Sequence, residues 1–381
     1  MFREWRILHL VLHRRIPEDE TLRRHWNDLV RRMERPEVFY TYEWALAMDR
    51  AYRSSLTPLL LLGYEGDSLV GLVALATDGA QQKASFLAGS TADYCDLVCP
   101  PQRRAELVDA VLAELRRLNL SMLLLANLPA DSATSHALRT AACNHGYSLF
   151  SRPAYLCARI VLGSSEQRQT LKQSVVKRKA LRYSLQGLGK HGPVTIDHLK
   201  RWDDIQPVLP RFMKAHVARF IATGRISNLA HPERQTFLTE LAELLSNAGW
   251  VVLTRMLVGD RPVAWNYGFQ FEGSWFYYQP TFDIDLQQFS PGFCLLSKIL
   301  EDACDQPEIQ LVDLGLGAEG YKERFATGVR QTVHVTVTSS TARRLQETVR
   351  YHAASAIKCA PRLEYWVRRL MGRASAENTQ I

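Results

Sequence analysis

Apolar and polar positions follow the same succession of rhythms twice along the chain. Residues 58–77 read PLLLLGYEGDSLVGLVALAT, and residues 250–271 read WVVLTRMLVGDRPVAWNYGFQF. Each is a pair of apolar runs joined by Gly-Asp, at Gly66-Asp67 and at Gly259-Asp260. Glycine accepts the positive φ that closes a tight turn, so both segments predict β-hairpins. An apolar β-branched residue follows each Asp by three positions, Val70 and Val263, and the two turns are 193 residues apart. Two helical segments are predicted before each hairpin, at 22–33 and 39–52 and again at 202–220 and 232–247. In the first of them Leu22, Trp26, Leu29, Val30 and Met33 fall on one face at helical spacing. A third strand, a helix and a buried strand follow each hairpin, at 84–87, 105–118 and 121–125, then at 275–279, 293–303 and 309–314. The order helix, helix, three strands, helix, strand in each half predicts an α/β protein built of two mixed sheets flanked by helices. The units are expected at 1–160 and 161–340. A basic helical tail is expected at 341–381, broken at Pro361, with Leu363, Trp366, Val367 and Leu370 on one face. Such a face docks on the fold or lies on a membrane surface.

Composition narrows the class. The chain has 381 residues, 46% apolar and 23% charged, which suits about two folded domains. No run approaches the ~18 uninterrupted apolar residues of a membrane helix. The seven cysteines are scattered, without a CxxC pair or a histidine at metal-ligand spacing. They read as reduced thiols of a cytoplasmic protein, with no metal site expected. The net charge of +8 comes from two patches: residues 166–200 carry +6 and residues 341–381 carry +5, so the remainder is slightly acidic. Each patch is either a solvated helix face or a surface for an anion such as a nucleotide-sugar, a tRNA or the inner face of a membrane. Lys172, Lys179 and Arg182, spaced seven and three apart, are expected on one face of a helix over 172–182, holding an anionic acceptor.

The halves differ in their candidate chemistry. The crossover helix of the second half opens Phe289-Ser290-Pro291-Gly292-Phe293. Ser is a good N-cap, Pro suits the first helical position, and Gly admits a close approach. A helix N-terminus of this kind suits a pyrophosphate. The first half has Cys99-Pro100-Pro101-Gln102-Arg103 there, without glycine. The next strand runs into Asp313-Leu314-Gly315-Leu316-Gly317, with Gly320, Tyr321 and Lys322 beyond. Gly315, Gly317 and Gly320 spell the dinucleotide fingerprint, but the acidic residue expected about 20 positions on is missing. A glycine-rich turn that places Asp313 and Lys322 at a strand C-terminus, beside a cleft, accounts better for the segment.

These residues carry a resemblance. Residues 165–338 look like the GNAT superfamily of acyl-CoA-dependent acyltransferases, and most like the acetyltransferases associated with cellulose and exopolysaccharide synthesis. The matching pieces are the basic helix 177–182, the helix from Phe212 to His216, Asp283 before Ser290-Pro291-Gly292, Asp313-Leu314-Gly315, and Tyr321-Lys322 with Phe325-Ala326. The first half resembles a degenerate copy, so the whole is similar to a tandem GNAT protein. The resemblance implies acetyl-CoA or another acyl-CoA as co-substrate, its pyrophosphate received by Ser290, Pro291, Gly292 and Phe293. The superfamily has Gln or Arg where this chain has Phe289, and a second small residue where it has Cys294. Tandem units also occur in the peptidoglycan-bridge aminoacyltransferases, which use aminoacyl-tRNA and have a lysine matching Lys322 that contributes to transfer. Direct acyl transfer needs a base, oxyanion donors and alignment. The candidate bases are Asp313, Asp283 and His216, Asp283 also being a candidate acceptor contact. Tyr321 is a candidate proton donor to the leaving thiolate, and backbone amides at a splayed strand are candidate oxyanion donors. The expected acceptor is a small molecule or saccharide, and a non-catalytic scaffold in polysaccharide assembly is the reading outside enzymes.

Overall fold

The computed structural model describes residues 8–77, 82–317 and 320–358. The first half contributes β1 (His9–His13), β2 (Thr57–Glu65), β3 (Ser68–Thr77), β4 (Lys83–Phe86), β5 (Met122–Pro129) and β6 (Ser148–Val161). The second contributes β7 (Val194–Leu199), β8 (Val251–Val258), β9 (Arg261–Phe271), β10 (Ser274–Phe282), β11 (Leu311–Leu316) and β12 (Gly328–Thr338). All twelve form one mixed sheet in the order β1-β2-β3-β4-β5-β12-β6-β11-β10-β9-β8-β7.

That order reads as two copies of one arrangement meeting at the centre. Five strands of each half are completed by the last strand of the other: β12 pairs with β5, and β6 pairs with β11. The exchanged strands also pair with each other, antiparallel, from Ser148 to Arg159 and from Gly328 to Thr338. The two hairpins form where the turn chemistry puts them, with Gly66 and Gly259 both at φ 59°. Each hairpin carries a register shift at an equivalent place, after Gly63 and after Met256. These positions are also 193 residues apart, so the repeat extends to the bulges.

The helices pack the halves together. Helix Tyr42–Ala51 lies against helix Pro232–Asn247. An aromatic cluster fills the seam, with Trp44 5.5 Å from both Phe237 and Phe269 and Phe39 5.4 Å from Phe276. Edge-to-face rings at these separations add about 0.5–1.5 kcal/mol per pair beyond their burial.

The basic segment departs from expectation. A continuous helix over 172–182 was expected from its spacing, but the chain forms two helices, Ser165–Val176 and Lys179–Gly189, with Arg178 extended at ψ 119° between them. Neither Pro nor Gly marks the break. Tertiary contacts make it: Arg178 lays its guanidinium 4.2 Å over the Phe325 ring and donates to the Arg324 carbonyl at 2.8 Å. Lys172 is thus on a different helix from Lys179 and Arg182. The tail forms helix Thr341–Lys358, whereas Pro361 and the apolar face from Leu363 to Leu370 lie outside the described residues. Among the described residues, no helix is long and apolar enough to cross a membrane.

Candidate active site

Strands β10 and β11 run parallel for three residue pairs, Ser274–Leu311, Trp275–Val312 and Phe276–Asp313, and then part. At the same step β10 bulges against β9, between Phe276 and Gln279. The fork opens on a cavity of about 440 Å³ lined from both halves. The first half supplies the loop Gly89–Asp93 and Asn127; the second supplies Arg234, Tyr278, Lys322 and His334. The equivalent fork of the first half, where β4 and β5 part after Ser85–Leu124, is closed by its own chain. There the Cys95 amide donates to the Asn127 carbonyl at 3.0 Å and the Asn127 side chain donates to Ala92 at 2.9 Å.

Asp93 stands at the mouth of the second fork. It is buried and accepts a hydrogen bond from the Leu316 amide. Burial pushes its carboxyl up to about 7, helped by the charge of Asp313 and opposed by Lys322 and Arg234. The approach depends on a glycine: a Cβ on Gly315 would lie 2.5 Å from Asp93 Oδ2, and Gly315 holds φ 69°. Gly315→Ala is therefore expected to destabilise the fold by about 1–3 kcal/mol in denaturant unfolding, and to displace Asp93. An unchanged unfolding midpoint would mean that Asp93 is not held as described.

Asp313 does not line the cavity. It lies beneath the fork, where its Oδ2 accepts from the Tyr94 hydroxyl at 2.9 Å and pairs with Arg159 Nε at 3.2 Å, and its Oδ1 accepts from the Gly315 amide at 2.9 Å. Burial raises its pKa against the pull of Arg159. Lys322 does line the cavity, is 5% exposed, and donates to the Leu316 carbonyl at 2.9 Å. The Tyr321 side chain lies outside the described residues. His334 bridges Arg152, at 2.9 Å from Nδ1, and the Asn127 Oδ1, at 3.2 Å from Nε2. Arginine can only donate, so Nδ1 accepts and Nε2 carries the proton. Burial and Arg152 lower its pKa, which keeps this ring neutral.

The other sequence candidates sit elsewhere. His216 is packed under its helix, stacked 4.5 Å from Phe220 and 2.8 Å from the Ser227 hydroxyl. Burial and nearby arginines push its pKa down to about 4. Asp283 caps a 3-10 turn through the Asp285 amide and pairs with Arg261 at 2.6 Å, on the surface. Lys172 pairs with Asp305, while Lys179 and Arg182 are exposed.

At the turn expected to receive pyrophosphate, Ser290 does not cap the helix with its side chain. Ser290 is left-handed at φ 47°, Pro291 starts helix Pro291–Cys304, and a Cβ on Gly292 would meet Phe282 at 3.1 Å. The Phe293 and Cys294 amides donate to the Ser290 carbonyl at 3.0 and 3.1 Å. Phe289 serves as a packing bolt, its ring filling the space where Gly187 lacks a Cβ. A cation comes from elsewhere: Phe293 stacks on Phe325 at 5.6 Å, and the Arg178 guanidinium covers that ring. Arg324 is close enough to lower the Arg178 pKa, after burial. Arg178 brings positive charge near the turn, but the Phe293 and Cys294 amides are engaged by the Ser290 carbonyl and the side chain usual at the start of the motif is absent, so a diphosphate here would depend on Gly292 and Arg178.

Residues 176–323 match the acetyltransferase (GNAT) domain family. That segment holds the turn, both strands of the fork and Lys322, and it makes the chain an acyltransferase. Three solved structures share the fold at low identity. FemX aligns with a TM-score of 0.57 at 8% identity, over 82% of this chain and 95% of its own. A protein of unknown function from Bacteroides thetaiotaomicron VPI-5482 gives 0.54 at 10% identity, covering 87% and 100%. The C-terminal domain of a putative lysylphosphatidylglycerol synthetase from Agrobacterium fabrum gives 0.53 at 11%, covering 88% and 95%. No curated protein matches the chain in sequence.

Proposed function

We propose that the chain transfers an acyl group, acetyl in the simplest case, from acyl-CoA to an amine or hydroxyl of an acceptor held in the cavity between the halves. The observation that carries this reading is the fork of β10 and β11 opening onto a buried carboxyl, Asp93, supplied by the other half. In this reading the pyrophosphate rests on the turn at Ser290, Pro291, Gly292 and Phe293, beside Arg178, and the thioester reaches into the fork. The acceptor heteroatom attacks the thioester carbon, and Asp93 takes its proton. Backbone amides of the splayed β10 hold the oxyanion. The carbon–sulfur bond then breaks, and the thiolate leaves and is reprotonated. Lys322 steadies the negative charge of this step, and Asp313 acts from behind, through Tyr94 and through its repulsion of Asp93. The resemblance to polysaccharide-associated acetyltransferases supports a sugar or nucleotide-sugar acceptor, which Lys179 and Arg182 would meet at the surface. In this division of labour the units are 1–160 and 161–340, the first shaping the acceptor site.

Titration calorimetry with acetyl-CoA tests the donor. The wild type is expected to bind it, and Gly292→Asp, which adds bulk and negative charge at the turn, is expected to weaken binding about tenfold or more with its melting preserved. Equal binding by the two proteins would remove the turn from the donor site. Silence from the folded wild type would reject acyl-CoA and favour an aminoacyl-tRNA donor or a scaffold.

A further inference from the structure

We propose that Arg234 anchors an anionic group, a carboxylate or a phosphate, on the molecule that occupies the cavity. This rests on the reading of the cavity as the acceptor site. Arg234 lies in the first turn of helix Pro232–Asn247, lines the cavity and is 4% exposed. Its Nη2 donates to the Tyr278 hydroxyl at 2.6 Å. That hydroxyl in turn donates to the Thr91 carbonyl, which fixes the guanidinium against both halves. The Phe237 and Tyr278 rings flank it at 5.0 and 5.9 Å, and Tyr52 stands beside it. Its Nε and Nη1 are buried with no hydrogen-bond partner within 3.5 Å, and the Tyr52 hydroxyl makes at most a long contact with the guanidinium. Among the described residues it forms no ion pair with a carboxylate, whereas the other buried arginines, Arg104, Arg168 and Arg330, are paired or saturated. Arg330 meets Glu37 and Asp131, and Arg168 donates to five backbone carbonyls and a glutamine side chain at 2.6–3.5 Å.

A guanidinium cannot shed its charge as a lysine can, and burying it without a paired carboxylate and with two donors lacking a close acceptor is unfavourable. The deficit is resolved when the cavity is filled by a group with acceptor oxygens and negative charge. Asp93 faces the same space and feels the charge of Arg234, but the two form no ion pair, and the Asp93 carboxyl is raised to about 7, so it neutralises the guanidinium only in part. Lys322, also on the cavity wall, adds to the positive field. A volume of about 440 Å³ suits a sugar-sized or amino-acid-sized group. The acceptor class is therefore one that carries an acid beside its reacting amine or hydroxyl: a sugar phosphate or an acidic sugar, as opposed to a neutral one.

The test uses the full chain without any acyl-CoA, titrated calorimetrically with glucose, glucose 6-phosphate and glucuronate. At least one of the two charged sugars is expected to bind about tenfold or more tighter than glucose, with an affinity that falls as salt rises. Preference for the first identifies a phosphate, preference for the second a carboxylate. Arg234→Met is expected to abolish the preference while its melting stays close to that of the wild type. Should that variant not fold, Arg234→Gln keeps donors and removes charge, and the same loss is expected. Equal binding of the three sugars by the wild type, or no binding of any, overturns the proposal, as does a preference that survives removal of the guanidinium. Binding of a charged sugar by a protein that ignores acetyl-CoA would keep Arg234 as an anion anchor and reject the donor reading, so the two can fail separately.

Discussion

Asp93→Asn is expected to lower kcat by about 10²–10³-fold at neutral pH and to remove the alkaline rise of the rate. The wild-type carboxyl is raised from its usual range to about 7, first by burial and then by Asp313, while Lys322 and Arg234 oppose the shift. The base works as the carboxylate, so the wild-type rate should climb as pH rises through about 7 and level off above it. Stability moves the other way. Between the ordinary carboxyl range and about 7, the folded state holds a proton that the unfolded chain has lost, so wild-type stability falls as pH rises across that window and is flat above it. Asn carries no charge at any pH. The variant should therefore gain on the wild type through the same window, to a plateau on the order of 2–4 kcal/mol. Rate profiles and denaturant unfolding at several pH values read both effects. A variant that keeps its turnover and its pH dependence would return the base to Asp313 or to an unassigned group.

Much of the frame was legible in the sequence because its signals are local. Gly66 and Gly259 announce two hairpins by turn chemistry alone, and the helix beginning at Pro291 announces itself by Ser-Pro-Gly. The central elements of each half therefore emerge in the right order, whereas β1, β7, helix Ala133–Asn144 and the last strand of each half do not. The exchange of β6 and β12 was not legible. Within β6, Pro153 and the polar Ser151 and Arg152 beside it resemble a loop or an edge strand, and the partners of this strand lie some 150–190 residues away in the chain. The break at Arg178 was hidden for the same reason, since it is made by Phe325 and Arg324. The site was half legible. Lys322 and the turn were within reach of motif reading, and Asp313 was placed at the fork but not that it lies beneath it. Asp93 has no motif around it. It becomes a candidate base only because Gly315, in the other half, lets it come close and the fold removes it from water. Arg234 looked like one helical charge among many until its burial was known.

The second large effect belongs to the exchanged strand. Arg330, on β12, reaches into the first half, where its Nη1 pairs with Glu37 and its Nε lies 3.2 Å from Asp131. Its guanidinium also sits 4.7 Å over the Tyr94 ring, whose hydroxyl holds Asp313. Arg330 is 6% exposed, so truncation leaves Glu37 charged and enclosed, or forces it to take up a proton. Arg330→Met is therefore expected to destabilise the protein by about 3–5 kcal/mol, the usual cost of breaking a buried pair on one side. Removing both charges should cost much less than the sum, because the double variant Arg330→Met, Glu37→Gln leaves no enclosed ion. The loss should also reach the fork, since Tyr94 loses the cation against its ring and Asp313 loses a firmly held donor. Denaturant unfolding of the two single variants and the double variant measures the coupling directly. Single variants that fall by less than about 1 kcal/mol and add in the double would show that β12 is held by its ladder to β5 and β6 and not by this pair.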